Sequence, residues 1–377
     1  MASTSVSVCH LTSVHPVFDH RIFEKECRTL SLAGYDVTLI ACHERDETVD
    51  GIRILALPRP ASRLARVTTT RRQLLARARG VDAQLYHFHD PELLPVGVAL
   101  ATEGRRVVYD VHEDVSRDLR TRHYLPRSLR PVIAEAVGGV ERLAVRRLSG
   151  VIAATPHIGA RLRSAAKELE VVRNFPTLRE FGPPPDIAWT SRESAVAYAG
   201  LIDSSRGIGP LVDAMAIVNT HRNTRLLLAG PFSPVAFREC VVDRAGWSFV
   251  DEQGVLDRAA LRAMLARSRV GIVLAEPLPN TIHSITNKLF EYMAAGIPVI
   301  SSDFPLWRAA IEEAGCGLIL SSLAPEEIAA AIENLMQDPE KAAAMGRSGR
   351  ASVESHFNWE RESSALFRLY DRVIANS

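Results

Sequence analysis

Lys288 and Glu291 are the residues whose types and spacing most directly suggest chemistry. They lie in the run P-N-T-I-H-S-I-T-N-K-L-F-E-Y-M-A-A-G-I-P-V-I-S-S-D-F-P, residues 279–305. A polar loop, 284–287, leads into a helix that carries both, and a strand at 298–301 follows. The start of a helix presents free backbone N–H groups and is a ready anion site. Lys288, in the first turn, adds a point charge suited to a phosphate. Glu291, three residues later on the same face, can accept two hydroxyl hydrogen bonds, as a ribose diol requires. Without that context the same two residues are equally a solvated first-turn cation and an exposed helix glutamate.

Other nucleotide and hydrolase signatures are missing. The turn after the first strand reads T-S-V-H-P-V-F-D-H-R-I-F. It lacks the G-x-G-x-x-G of a dinucleotide dehydrogenase. There is no G-x-x-x-x-G-K-[ST], no G-x-S-x-G and no H-E-x-x-H. Gly207-Ile208-Gly209 is a lone G-x-G and specifies nothing. No D-x-D is present, so metal-independent chemistry and no metal site are expected. The five cysteines are scattered and never C-x-x-C, which fits reduced thiols rather than a zinc site or disulfide framework.

The elements that must position these residues alternate. Strands are expected at 5–11, 35–41, 84–88, 106–111 and 151–153, with helices at 21–33, 91–102 and about 127–148. Near residue 175 the pattern breaks: F-P-T-L-R-E-F-G-P-P-P-D-I-A-W reads as a semi-rigid connector. The alternation then restarts, with strands at 195–199, 225–229, 247–250, 270–274 and 298–301. Helices are expected at 207–219, 258–267 and 287–295, and three more at 325–337, 339–353 and 359–375. Strand–helix alternation means a parallel sheet covered by helices on both faces. The reading is two doubly wound α/β domains: 1–175, a linker at 176–190, and 191–357, with a terminal helix about 358–377 packing back on the first. Ligands in such sheets bind at strand carboxyl ends, so a cleft between the domains is the expected site.

A length of 377 residues supports two domains, and 47% apolar with 24% charged residues excludes a mostly disordered chain. No apolar run approaches the ~20 residues of a spanning helix, and the N-terminus lacks a signal-peptide pattern; a cytoplasmic protein is expected. Residues 1–190 carry 27 Lys+Arg against 22 Asp+Glu, and 191–377 carry 18 against 22. That mild asymmetry gives no reason to expect nucleic acid as a partner. Two stretches are locally basic: 59–80, with seven arginines and no acidic residue, and 117–147, with eight. They raise a second expectation, peripheral contact with an anionic inner membrane face.

The stretch 279–305 resembles the donor-binding signature of family-4 retaining glycosyltransferases. His15–Phe23 with Glu24-Lys25-Glu26, H-D-P-E-L-L at 89–94 and Y-D-V-H-E-D at 109–114 resemble a polysaccharide-type branch of that family. The resemblance implies the GT-B fold, two facing Rossmann-like domains with an interdomain cleft. It also implies roles. Glu291 would bind the nucleotide ribose. The signature's first Glu is His283 here, at the donor sugar. The backbone of Ser284, Ile285 and Thr286, running into Asn287, would hold sugar and diphosphate. Arg206, in G-L-I-D-S-S-R-G at 200–207, and Lys288 would stabilise the leaving diphosphate; the family's second basic group there is Leu201. His112 would orient the donor sugar. Gly230 would let the chain pass the nucleotide, and the backbone at Val255-Leu256 would read the base. Asp19, Arg21 and His89 are candidates for the acceptor side, although Asp19 is also a helix N-cap candidate and His89 a strand-end residue. Asp110 and Asp114 read as structural.

The activity implied is retaining transfer of a hexose-type sugar from a UDP- or GDP-linked donor to a hydroxyl of a glycan, lipid-linked or small-molecule acceptor. No cofactor is expected, the nucleotide sugar being substrate. A GT-B epimerase or phosphorylase, and an inactive nucleotide-binding partner in glycan assembly, remain alternatives.

Overall fold

Short β-branched strands buried on both faces, with helices between them, produce two parallel sheets. A computed structural model describes residues 5–120, 126–182, 187–279 and 281–375. It divides into one unit up to Asn174 that also takes the chain from Trp359 onward, and a second unit, Phe175–Asn358.

The first unit contains β1 (Ser7–Leu11), β2 (Asp36–Cys42), β3 (Glu47–Val49), β4 (Ile52–Leu57), β5 (Leu85–Phe88), β6 (Arg106–Val111), β7 (Gly150–Ala153) and β8 (Leu169–Val171). Their order is β3-β4-β2-β1-β5-β6-β7-β8. All pairs are parallel except β3–β4. One face packs under the helical stretch Ile22–Leu32 and the terminal helix Trp359–Ala375. There Leu366, Leu369, Tyr370 and Val373 share a core with Val8, Leu85, Val108 and Ile152. Trp359 Nε1 donates to Thr29 Oγ1 at 2.8 Å, and Arg372 bridges to Glu168 and Glu170. The stretch expected as one helix at 21–33 is π-wound over Ile22–Cys27 and α-helical only over Arg28–Leu32.

The second unit contains β9 (Ala195–Ala199), β10 (Arg225–Ala229), β11 (Val250–Gly254), β12 (Val270–Val273), β13 (Val299–Ser302) and β14 (Gly317–Leu320). All are parallel, in the order β11-β10-β9-β12-β13-β14. The connections reverse direction between β9 and β12. That gap is the topological switch point at which open α/β sheets bind ligands.

Two expectations need correction, and four strands were not expected. Residues 176–190 are not a bare linker where described. Phe175 packs against Phe290 and Phe357, the helix Leu178–Phe181 lies against the same core, and buried Trp189 donates to Arg269 O at 3.0 Å. Aromatic burial outweighs the proline content; residues 183–186 lie outside the described residues. The strand expected at 247–250 is a 3₁₀ turn, Ala245–Phe249, and the strand begins at Val250. Gly246 sits too close to the Val212 backbone for any side chain, and this contact fixes the turn. Finally, β3, β4, β8 and β14 are short or half-exposed and gave no alternating signal.

Two glycines allow the β9 and β10 ends to touch. Gly200 and Gly230 have φ of 138° and 134°. A Cβ on Gly230 would lie 1.8 Å from Gly200 O. Gly230→Ala should therefore cost on the order of 3 kcal/mol in urea unfolding, from strain and overlap together. Gly34→Ala, at positive φ but with nothing near its Cβ, should cost only about 1 kcal/mol. Equal costs would refute the close-approach argument.

Candidate functional site

The second unit gathers its candidate residues at the switch point. After β9 the chain turns through Gly200 and a 3₁₀ turn, Ser204–Arg206, whose start is capped by Asp203. Gly207, at φ 64°, turns the chain into the helix Ile208–Val218. After β12 the loop 274–286 leads to the helix Asn287–Ala294. Glu276 N donates to Ser205 O at 2.7 Å and ties the two loops together. Trp307 Nε1 donates to Ser284 O at 2.9 Å and pins the loop before the helix. No side chain caps the helix at Thr286. Its first N–H groups therefore lack the side-chain acceptor that usually occupies such a position.

Lys288 is held in this corner. Its Nζ donates to Tyr198 Oη at 2.9 Å and lies 4.3 Å from the ring centre. Tyr198 Oη in turn donates to Leu201 O at 2.6 Å. A Cβ on Gly200 would strike Lys288 Cε, so the glycine makes room for the lysine as well as for Gly230. Burial first, then the charge of Arg206, push the Lys288 ammonium down to about 7, against the opposing pull of Glu291 and Asp203. Arg206 Nε is buried and has no hydrogen-bond partner among the described residues. Two cationic groups thus sit close enough to repel each other, with no carboxylate bound to either. This is an arrangement that an anion would relieve.

Glu291 is buried rather than solvated, and its Oε1 accepts from Arg258 Nη2 at 2.8 Å. Arg258 also pairs with Glu180. Burial works against the guanidinium charge, but Glu291 and Glu180 more than offset it and raise its pKa. Arg258 had no local signal in the sequence. It opens a helix after the Asp257 cap and reaches Glu291 only through the fold. Gly230 N donates to Gly254 O at 2.7 Å, which brings the turn before Val255 and Leu256 beside the β10 end. Val255 is 75% exposed, while Leu256 packs on the core. Ile285 packs on that core too, and His283 is half-buried in the same loop.

The first unit places its candidates differently. Parallel register carries His89 and Asp110 to neighbouring positions beyond β5 and on β6, with His112 two residues further. Asp110 Oδ2 lies 2.7 Å from His112 Nε2 and 3.3 Å from His89 Nδ1. Arg21 binds both Asp110 oxygens, at 2.8 and 2.9 Å, and donates to Val172 O. Burial raises the Asp110 pKa, but Arg21 and His112 more than reverse this and hold it well below the usual carboxylate range.

Arg21, expected on the acceptor side, is instead buried, because a buried Asp110 needs a bidentate cation. His89 is likewise buried rather than on a wall, and burial pushes its pKa down to about 4. Asp19 serves as a cap: its Oδ1 accepts from Arg21 N and Ile22 N at 2.8 and 2.9 Å. Asp110, expected to be structural, is buried and is the hub of these contacts. His112 remains partly exposed above it. The sequence reading missed His10, Glu26 and His87, although the H-x-H spacing of 87 and 89 was visible and places both on one strand face.

Three kinds of likeness bear on what this arrangement is. Residues 21–176 match the family described as Glycosyltransferase Family 4, and residues 211–368 the one described as Glycosyl transferase-like. The MMP alpha-(1->4)-mannosyltransferase of Mycolicibacterium hassiacum is 23% identical over 297 residues, 76% of this chain and 70% of that protein. The phosphatidyl-myo-inositol mannosyltransferase of Mycolicibacterium smegmatis is 25% identical over 353 residues, 90% of this chain and 86% of that one. Other curated relatives align over about two fifths of their own length. Among solved structures, HepE of Anabaena, in complex with UDP and glucose, aligns at a TM-score of 0.74 and 14% identity, over 97% of this chain and 99% of that chain. The fold is therefore that of the GT-B glycosyltransferases. Within that fold the first part of the chain, residues 21–176, is similar to family 4 of these enzymes.

The Lys288 environment makes a testable statement about stability. Its folded pKa, about 7, lies below the unfolded value of ~10.4. The unfolded chain therefore holds the extra proton between these values, and stability from this group rises with pH across that window. Relative to Lys288→Met, the wild type should gain about 1 kcal/mol per pH unit from pH ~7 to ~10 in urea titrations. A difference that does not change with pH would mean the buried lysine stays charged.

Proposed function

We propose that the protein is a retaining transferase that moves a hexose-type sugar from a nucleoside diphosphate sugar to an acceptor hydroxyl, without a metal in the transfer step. The observation that carries this reading is the pair Lys288 and Arg206 beside an uncapped helix start at a switch point. As the bond from the anomeric carbon to the diphosphate breaks, charge grows on the phosphate oxygens. Fixed donors aimed there are the strongest stabilising device such a site can hold. Lys288, Arg206 and the N–H groups at 285–287 fill that role, since the Ser284 N–H already donates to Thr281 O, and the bound diphosphate would draw the Lys288 proton back. Glu291, held by Arg258, takes the ribose hydroxyls. The backbone at Val255-Leu256, beyond Gly254, faces the base, and His283 the sugar. On the resemblance alone, His112 orients the donor sugar. The acceptor hydroxyl attacks the face that the leaving group vacates and gives its proton to the departing phosphate, so retention needs no protein nucleophile. HepE's complex with UDP and glucose supports a UDP-linked donor, and the mannosyltransferase relatives support a hexose as the sugar moved.

The test is thermal stabilisation by UDP, GDP, ADP and dTDP, with and without EDTA, on wild type and Glu291→Ala. One nucleotide should stabilise by about 2.7 kcal/mol at 100 times its dissociation constant. The increment should survive EDTA and be largely lost in Glu291→Ala. No stabilisation by any nucleotide would reject the donor-site reading. Binding without turnover on any donor sugar would favour an inactive partner.

A membrane-surface role is the second reading, and one helix favours it. Along Arg130–Val145 and the residue before it, Leu129, Val132, Val140 and Leu143 are all exposed. Their spacing puts them on one stripe. Arg127, Arg146 and Arg147 are exposed at its two ends. An apolar stripe flanked by cations suits an anionic bilayer. In the other basic stretch, Arg77 and Arg79 are already paired with Asp46 and Glu103. Among the described residues no helix is long and apolar enough to cross a membrane. Vesicles rich in phosphatidylglycerol should co-sediment the wild type, and Val132→Ser with Leu143→Ser should reduce this at least about fivefold, a loss of ~1 kcal/mol. No sedimentation of wild type removes the reading.

A further inference from the structure

Three histidines of the first unit converge on the buried carboxyl group of Glu26. His10 of β1 and His87 of β5 are register partners, so they project from the same sheet face. His89, two residues on, shares that face. Glu26 enters from the π-wound turn above it. π-turns occur frequently at functional sites. All four side chains are completely buried. Among the described residues no group donates a hydrogen bond to either Glu26 oxygen and His87 Nε2 has no partner, while the Glu26 carboxyl lies against Asp110. The nearest cation, Arg21, reaches Oε1 at 3.1 Å but spends its fork on Asp110.

The spacing decides what this cluster can hold. Glu26 Oε2 lies 4.0 Å from His10 Nδ1, 3.8 Å from His87 Nδ1 and 3.9 Å from His89 Nε2. These are too long for hydrogen bonds. His10 Nδ1 and His89 Nε2 are 3.0 Å apart. Ligands of one tetrahedral ion with bonds of about 2.0–2.1 Å stand roughly 3.3 Å from each other, and one donor atom from each of the four residues lies within 4.8 Å of the rest. Small side-chain movements close that gap. The outer contacts a metal site needs are also present. Asp110 Oδ2 is 3.3 Å from His89 Nδ1 and Tyr370 Oη is 3.4 Å from His10 Nε2, in each ring the nitrogen other than the one measured to Glu26; on His87 the Tyr370 hydroxyl takes Nδ1 at 2.8 Å and leaves the unpartnered Nε2 as the ligand atom. Such contacts fix ring orientation at metal sites.

We propose that His10, Glu26, His87 and His89 form a binding site for a divalent transition-metal ion of the Zn²⁺ type. Three imidazoles and one carboxylate are a donor set suited to it. The site is closed on every side by protein. It therefore fastens β1, the π-turn and β5 together, with the terminal helix held through Tyr370, and takes no part in sugar transfer. This inference is independent of the donor-site reading.

The experiment uses the whole purified chain, stripped with phenanthroline and reloaded with Zn²⁺ or Co²⁺. Plasma mass spectrometry should find about one Zn²⁺ per chain, and loading should raise Tm. Co²⁺ should give the visible absorption of a four-coordinate ion with saturable one-to-one stoichiometry, displaced by Zn²⁺. Glu26→Gln with His87→Ala should abolish both signals, and His43→Ala, outside the cluster, should keep them. Where the double variant does not fold, the wild-type Co²⁺ titration decides alone. Absence of metal and of the Co²⁺ band in reloaded wild type overturns the site, as does a stoichiometric ion that persists in the folded double variant.

Discussion

In a parallel sheet every strand ends at the same edge, and each unit of this protein collects its chemistry there. The constraint comes from the connections: each strand is reached by a crossover, so all carboxyl ends point one way. In the second unit this brings Gly200, Gly230 and Gly254 from three adjacent strands within backbone contact. In the first it lines up His10 with His87, and His89 with Asp110. Neither cluster could be built from residues close in sequence.

The two ends handle buried charge in opposite ways. The first unit neutralises Asp110 with a two-pronged arginine, which takes both out of reach of any ligand. Removing one partner of such a pair commonly costs about 3–5 kcal/mol, so Arg21 is fixed by stability before function is considered. The second unit leaves Lys288 and Arg206 without a bonded carboxylate among the described residues. Lys288 rests on a tyrosine ring and Arg206 has an unpartnered Nε. A site that is electrostatically uncomfortable when empty has free energy to gain from an anion. Glu291 is already committed to Arg258 on one oxygen, which fixes its orientation before a diol arrives.

The sequence showed the outline of this arrangement more clearly than its wiring. Strands 106–111, 195–199 and 225–229 and the helices at 258–267, 325–337 and 359–375 were legible, because long apolar runs and strong 3.6-residue periods report burial directly. The loop-to-helix step at 284–291 was legible because its residue types fit phosphate and diol. The edge strands β3, β8 and β14 were not, since half-exposed strands lose the pattern that marks them, and the interior strand β4 was missed as well. Arg258 and Tyr198 were invisible for another reason: their partners lie 33 and 90 residues away, and pattern reading sees only local spacing. Arg21 misled in the opposite direction, since a charged residue in a loop reads as exposed until its buried partner is known.

The terminal helix has a consequence for the order in which the protein can be made. The second unit is one uninterrupted stretch of chain, but the first is completed only by residues from Trp359 onward. Until Leu366, Leu369, Tyr370 and Val373 leave the ribosome, the sheet face over Val8, Leu85, Val108 and Ile152 is uncovered. The unit synthesised first is therefore the last to finish folding. For the whole time that the second unit is being translated, the nascent first unit exposes an apolar face that only the segment from Trp359 onward can close, and this window is where a chaperone or a misfolding reaction would act.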